Sequence, residues 1–241
     1  MQKTIPLKTQ VFLITPPFTQ LNTPYPATAY IKGFLNTKNI SATQADIGIE
    51  VILKLFSKEG LINLFQVSSS KFQVVNQNIS DNSKRIFALQ DEYIKTIDSV
   101  IAFLQGKNPT LALQICQEDY LPEASRFAQL EELDWAFGTM GTQDKAKHLA
   151  TLYLEDISDF IVECVDANFG FSRYAERLGR SANSFDELYA ALQEKPTYID
   201  EILFSLLKER IETIQPGLFL ISVPFPGNLY SAFRSAQWVR K

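Results

Sequence analysis

Two short apolar runs, each followed by a proline-containing loop and an amphipathic helix, stand near opposite ends of the chain. Residues 11–14, Val-Phe-Leu-Ile, lead into Thr-Pro-Pro-Phe, and residues 218–221, Leu-Phe-Leu-Ile, lead into Ser-Val-Pro-Phe-Pro-Gly-Asn. Unbroken apolar runs of this length are typical of strands buried on both faces of a parallel sheet. Because α/β sheets bind ligands at the carboxyl ends of such strands, both loops are candidate ligand loops.

The segments between the two runs predict a sheet that is interrupted by helices. A first helix is indicated by apolar residues at helical spacing, namely Ala27, Tyr30, Ile31, Phe34 and Leu35. A weaker strand follows at 41–46 and a second helix at 49–56, and then helix after helix fills residues 57–213. Roughly 150 residues exceed an ordinary crossover between strands, so this stretch is predicted to be an inserted helical subdomain.

The predicted fold class is therefore α/β, a partial flavodoxin-like (doubly wound parallel) sheet with a large all-helical insertion. Residues 1–56 are predicted to begin the α/β domain, and residues 57–213 to form the insertion. Residues 214–241 contribute the third strand and its helix, after which the domain is expected to be truncated. Two strands flanking the first give the predicted order 2-1-3.

Composition excludes several classes of function. The net charge of −4 offers no basic surface for nucleic acid. No run of 18 apolar residues and no signal-peptide core occur in the 241 residues, so a cytoplasmic protein without membrane contact is expected. The two cysteines, Cys116 and Cys164, are too few for a cluster-binding set and are expected to be buried free thiols.

The prolines of the two loops indicate the kind of ligand. In a doubly wound sheet, residues 15–26 and 222–228 are expected to face each other where the strand order reverses. Prolines fix the backbone and remove N–H donors, which suits contact with a large, mostly apolar ligand and disfavours a phosphate cradle. The alternative is that these prolines only terminate the strands, and the sequence pattern alone leaves both interpretations open.

Other ionisable residues favour structural roles. Four carboxylates follow one helix at Glu155, Asp159, Glu163 and Asp166, but the Glu-x-x-His element of carboxylate metal bundles is absent. A solvated helix face is expected instead, paired with Arg173, Arg177 and Arg180. His148 is the only histidine and is expected to be structural, since one histidine without neighbouring thiolates cannot build a zinc site.

Residues 12–18, Phe-Leu-Ile-Thr-Pro-Pro-Phe, and residues 24–34, Pro-Tyr-Pro-Ala-Thr-Ala-Tyr-Ile-Lys-Gly-Phe, resemble the opening of the cobalamin-binding domain of cobalamin-dependent radical SAM proteins. Residues 45–47 look like the end of the second strand of that domain, and residues 215–222 are similar to its third strand. The Asp-x-His-x-x-Gly motif that ligates cobalt in some cobalamin proteins is absent, and the helical insertion is longer than is usual in the family.

The resemblance implies that the chain is an N-terminal fragment of a radical SAM enzyme and provides part of a cobalamin site. The corrin-facing residues that it implies are Thr15, Pro16, Pro17, Phe18, Tyr25, Ser222, Val223, Pro224, Gly227 and Asn228. S-adenosylmethionine and a 4Fe-4S cluster would be bound by the C-terminal radical SAM domain of the same polypeptide, beyond Lys241. The fragment alone is expected to hold no catalytic residue and no metal ligand, and its insertion is expected to face substrate or a partner.

Two further classes are weighed against this interpretation. One is a non-catalytic helical interaction module on a vestigial sheet that binds no cofactor. The other is a receiver-like or flavin-binding domain, which would need an acidic pair or a Ser-, Thr- and Gly-rich loop after the first strand, whereas residues 15–26 are proline-rich. An open sheet edge would also allow two copies of the fragment to pair as a homodimer.

Overall fold

A computed structural model describes residues 10–18, 21, 25–73, 79–117, 119–129, 141–171 and 185–240 of the chain. The strands within these ranges are β1 (Val11–Thr15), β2 (Ala42–Asp46) and β3 (Leu218–Ile221). They form one parallel sheet in the order β2-β1-β3, with Val11 opposite Ala42 on one side and Leu218 on the other. The predicted α/β class and the 2-1-3 order are confirmed, and a flavodoxin-like topology beyond these strands stays a prediction.

Most of the remaining described residues are helical. The α-helices are α1 (Ala27–Thr37), α2 (Ile47–Leu55), α3 (Lys58–Gln73), α4 (Asp81–Ala88), α5 (Gln90–Leu104), α6 (Ala112–Ile115), α7 (Thr142–Cys164), α8 (Asp186–Gln193), α9 (Tyr198–Ile214) and α10 (Leu229–Val239). Short 3-10 helices occupy Pro109–Leu111, Ser125–Gln129 and Pro226–Asn228. No helix in the described ranges is both long enough and apolar enough to cross a membrane.

The central strand and its two neighbours differ in burial. All five side chains of β1 are buried, as its apolar sequence predicts. In β2, which reads Ala-Thr-Gln-Ala-Asp, the side chains are half-buried or exposed and suit an edge position. The four residues of β3 are apolar, yet none of them is fully buried and Leu218 is exposed. Among the described strands, β3 is therefore an apolar edge.

The chain divides into two compact units, one of Met1–Ile52 with Gly170–Lys241 and the other of Leu53–Phe169. We call them the sheet unit and the helical unit. The boundaries between the units fall after residues 52 and 169, whereas the sequence predicts them at residues 56 and 213. The second boundary differs because α8 and α9 pack against α10, which belongs to the sheet unit. Helical periodicity alone could not distinguish these two helices from those of the insertion.

In the helical unit, the buried carboxylate of Asp156 on α7 fixes the turn at Ser125–Gln129. Its Oδ2 accepts a hydrogen bond from Ala124 N and its Oδ1 accepts one from Arg126 N, both at 3.0 Å. The Arg126 guanidinium in turn donates to both carboxylate oxygens of Asp159 at 2.7 Å. Burial raises the pKa of Asp156 to about 6, because the two backbone hydrogen bonds only partly offset its lost solvation.

The carboxylates predicted to form a solvated face of α7 instead make contacts with other residues or are buried. Glu155 lies 3.6 Å from Arg126 Nη1. Glu163 accepts hydrogen bonds from both serines at the start of α4, and Asp166 is buried. The partners predicted from sequence lie outside the described residues, namely Arg173, Arg177 and Arg180.

The apolar stripe of α1 is only partly covered by the sheet. Thr28 is buried, whereas Tyr30 is 77% exposed and Phe34 is 61% exposed. The apolar arc of this helix is therefore wider than the surface that β1 and β2 offer. Lys38 Nζ lies 5.5 Å from the centroid of the Phe34 ring, so part of that face is covered by a cation–π contact.

Gly60 provides a test of the packing where α2 meets α3. A Cβ atom at this position would lie 2.2 Å from the carbonyl oxygen of Lys54 and 2.3 Å from that of Leu55. Both are backbone atoms that cannot move without distorting the turn. We therefore expect Gly60→Ala to lower the free energy of unfolding by about 3 kcal/mol or more, as measured by urea denaturation.

The matched control is Gly33→Ala in α1, where nothing lies within 4 Å of an added Cβ atom. Because alanine has a higher helix propensity than glycine, the free energy of unfolding of this variant should rise by about 0.5–1 kcal/mol. Similar changes in the free energy of unfolding for Gly60→Ala and Gly33→Ala would contradict the close contact between α3 and the end of α2.

Candidate functional site

The two proline-containing loops meet at the carboxyl ends of β1 and β3. Asn228 Nδ2 donates a hydrogen bond to the carbonyl oxygen of Pro16 at 2.7 Å. The backbone N–H of Phe18 donates to the carbonyl oxygen of Gly227 at 3.4 Å. Both contacts join residues more than 200 positions apart, and they confirm the prediction that the two loops face each other.

We call residues 15–18, Tyr25 and residues 222–228 the loop cluster. It contains every residue that the resemblance implies to face a corrin ring. Residues 19, 20 and 22–24 of the first loop lie outside the described residues. The loop cluster lies entirely within the sheet unit.

The last residue of β1 and the three residues that follow it form the floor of the loop cluster. Thr15, Pro16, Pro17 and Phe18 are all buried. The start of α2 packs against them, since a Cβ atom added at Gly48 would lie 3.4 Å from the Cα atom of Pro17 and 3.5 Å from the carbonyl oxygen of Pro16. The Pro17–Phe18 peptide bond is cis. The exposed surface of the loop cluster therefore comes from other residues.

That surface is an apolar rim on the loop after β3. Val223 is 43% exposed and Phe225 is 51% exposed, whereas Ser222 and Pro224 are half-buried. The half-buried ring of Tyr25 meets Phe225 edge to face, with centroids 5.9 Å apart. The sequence prediction did not include Phe225, although its place between two prolines of the same loop was an available signal.

Asn228 is a buried polar side chain at the contact between the two loops. It is fully buried, and its Oδ1 has no hydrogen-bond partner among the described residues. A buried acceptor without a partner costs about 1–3 kcal/mol. An enclosed water molecule would remove that cost, and the side chain holds the two loops together through Nδ2.

Asp46 at the end of β2 stabilises the floor from the other side. Its Oδ1 accepts a hydrogen bond from Ile49 N at 3.1 Å, so the side chain caps the first turn of α2. Burial raises the pKa of this carboxyl group, and the backbone N–H groups of Ile49 and Gly48 offset part of the effect. Asp46 therefore fixes the start of α2 against the prolines.

The side chains of the loop cluster are mostly apolar or neutral polar groups. Apart from Tyr25, none of its residues carries an ionisable side chain. In the described part of the chain, no three His, Cys, Asp or Glu side chains are grouped to hold a metal ion. His148 and the two free thiols belong to the helical unit, where Cys164 is buried as expected and Cys116 is half-buried.

No protein-family model matches the chain, and no match was found among the curated proteins or the solved structures. A function for the loop cluster is therefore argued from its geometry and from the family resemblance of residues 12–18 and 24–34.

The hydrogen bond between Asn228 and Pro16 gives a prediction for stability. Asn228→Ala removes the only side-chain hydrogen bond described between the two loops, and we expect it to lower the free energy of unfolding by about 1–2 kcal/mol. Urea denaturation measures the change. The control is Asn36→Ala on an exposed position of α1, which should leave stability equal or slightly higher. An Asn228→Ala protein as stable as wild type would contradict this role.

Proposed function

We propose that the sheet unit is part of a cobalamin-binding domain of a cobalamin-dependent radical SAM enzyme, and that the loop cluster faces the corrin ring. The observation that carries the proposal is the direct contact between the loops after β1 and β3 in a parallel sheet of order β2-β1-β3. In doubly wound sheets this is the position at which ligands bind. The resemblance of residues 12–18 and 24–34 supplies the identity of the ligand.

The residues of the loop cluster fit a corrin ring in part. The apolar rim of Tyr25, Val223 and Phe225 suits a broad, mostly apolar ring. The buried residues after β1 would support the rim from beneath. The loop cluster contains no histidine and so offers no imidazole to the cobalt.

The chemistry of the reaction is assigned to groups outside the loop cluster. Bound cobalamin would supply organometallic cobalt chemistry, and the residues described here would bind and orient the ring and shield it from water. The 4Fe-4S cluster and S-adenosylmethionine are proposed to belong to a C-terminal radical SAM domain of the same polypeptide. The two cysteines of this chain are fewer than the three that the family uses for its cluster.

The exposure of β3 supports a larger sheet. A strand of four apolar residues suits a position with a neighbour on each side, yet β3 pairs with β1 alone among the described strands. In the proposed enzyme, further strands extend the flavodoxin-like sheet beyond β3. The helical unit is proposed to recognise substrate or a partner, and the protein is proposed to be cytoplasmic.

The second candidate function is a helical interaction module that binds no cofactor. The exposed apolar face of α1, with Tyr30 and Phe34, favours it because large exposed apolar side chains mark interaction surfaces. It predicts that cobalamin does not bind even to the full-length protein.

Equilibrium dialysis of the full-length protein against hydroxocobalamin, read by visible absorbance, tests the first proposal. Val223→Glu places a carboxylate on the apolar rim, and burying it against the ring should weaken binding about tenfold or more. The matched control is Val67→Glu on α3 of the helical unit, where the valine is 51% exposed and the change should leave affinity unaltered.

Two results would contradict the proposal. Absence of cobalamin binding to the wild-type protein would favour the interaction module. Binding that Val223→Glu leaves as strong as in wild type would place cobalamin away from the loop cluster.

A further inference from the structure

A pocket in the sheet unit lies beside the C-terminal part of α10, whereas the loop cluster lies at the start of that helix. Its volume is about 470 Å³, and it is lined by Leu192, Gln193, Glu194, Pro196, Phe204, Arg234, Gln237, Trp238 and Arg240. Because α10 begins directly after Asn228, its last turn lies about 15 Å along the helix from the loop cluster. The pocket is therefore separate from the proposed corrin site, and its size is within the range of small-molecule sites.

One residue of the pocket lining, Arg234, belongs to a buried ion pair. The Arg234 side chain is 6% exposed, and its Nε lies 3.1 Å from Asp200 Oδ2. The Tyr230 hydroxyl accepts from Arg234 Nε at 2.7 Å and donates to Asp200 Oδ2 at 2.9 Å. Asp200 is also the N3 residue of the capping box that starts α9, so the guanidinium is held rigidly between α9 and α10.

The hydrogen bonds described for Arg234 use four of the five N–H groups of its guanidinium. Nη2 donates to the carbonyl oxygens of Ala191 and Glu194, which uses both of its N–H groups. Nη1 donates to the carbonyl oxygen of Leu192 at 3.0 Å. A guanidinium carries five N–H groups, so the second N–H of Nη1 has no partner among the described residues. A buried charged donor without a partner at the wall of an open pocket points to an anionic or strongly accepting ligand group.

The remaining wall combines the rings of Phe204 and Trp238 with one further cation, Arg240, and one exposed carboxylate, Glu194. The rings of Phe204 and Trp238 are stacked, with centroids 6.1 Å apart and planes 14° apart, and they offer a flat apolar surface. Arg240 and Gln237 are exposed at the same opening. The combination of a flat aromatic surface and two guanidinium groups matches a ligand with a planar ring and an acidic group.

We propose that this pocket binds a planar aromatic anion of about mononucleotide size. The ring packs on Trp238, and the anionic group accepts hydrogen bonds from the free Nη1–H of Arg234 and from Arg240. This site is independent of the proposed cobalamin function, because it shares no lining residue with the loop cluster.

The test uses AMP as the probe and the fluorescence of Trp238 as the signal. Trp135→Phe leaves Trp238 as the single tryptophan of the chain. In this background AMP should change the fluorescence with saturation below about 5 mM, whereas adenosine and ribose 5-phosphate should bind at least tenfold more weakly, since each lacks one of the two recognised features. Circular dichroism verifies that each protein is folded.

Arg240→Gln should weaken AMP binding about tenfold, because it removes one charge and leaves the buried ion pair intact. The matched control, Lys208→Gln, removes an exposed cation of α9 outside the pocket and should leave binding unchanged. No AMP-dependent signal in the folded protein would overturn the proposal. Equal affinities for AMP in Arg240→Gln and Lys208→Gln, or equal affinities for AMP and adenosine, would also overturn it.

Discussion

The complete burial of β1 is the constraint on which the rest of the sheet unit depends. Five buried residues with side chains on both faces require a strand on each side and helices above and below, and each large apolar side chain that is buried contributes about 1.5–3 kcal/mol. The flanking strands come from residues 42–46 and 218–221, so segments about 200 positions apart in the sequence must lie side by side. Parallel pairing then brings the loops after β1 and β3 to one edge, where Asn228 joins them.

The helices of the sheet unit depend on a second buried contact. Asp200, Tyr230 and Arg234 link α9 to α10, and the Arg234 guanidinium also binds the last carbonyl groups of α8. Breaking a buried pair of this kind costs about 3–5 kcal/mol, because the remaining charge loses its partner. The same contact holds α10 through its second and sixth residues, and this helix starts beside the loop cluster and carries part of the aromatic pocket.

The sequence predicted the sheet better than it predicted the sites. Unbroken apolar runs identify β1 and β3, and the capping pattern at Thr197 marks the start of α9, because these signals are local. Contacts that join distant residues leave no local signal. The packing of Gly48 on Pro17 turns the prolines into a buried floor, and the stripe of α1 is wider than the sheet that it covers. The pocket combines residues about 40 positions apart, which no spacing rule connects.

Hydrogen–deuterium exchange of the full-length protein, with and without hydroxocobalamin, tests the central claim most directly. The account predicts slower amide exchange in residues 222–228 and around Tyr25 when cobalamin is present, with no change along α7 of the helical unit. Protection confined to the helical unit, or unaltered exchange at saturating cobalamin, would contradict the assignment of the loop cluster as the corrin-facing surface.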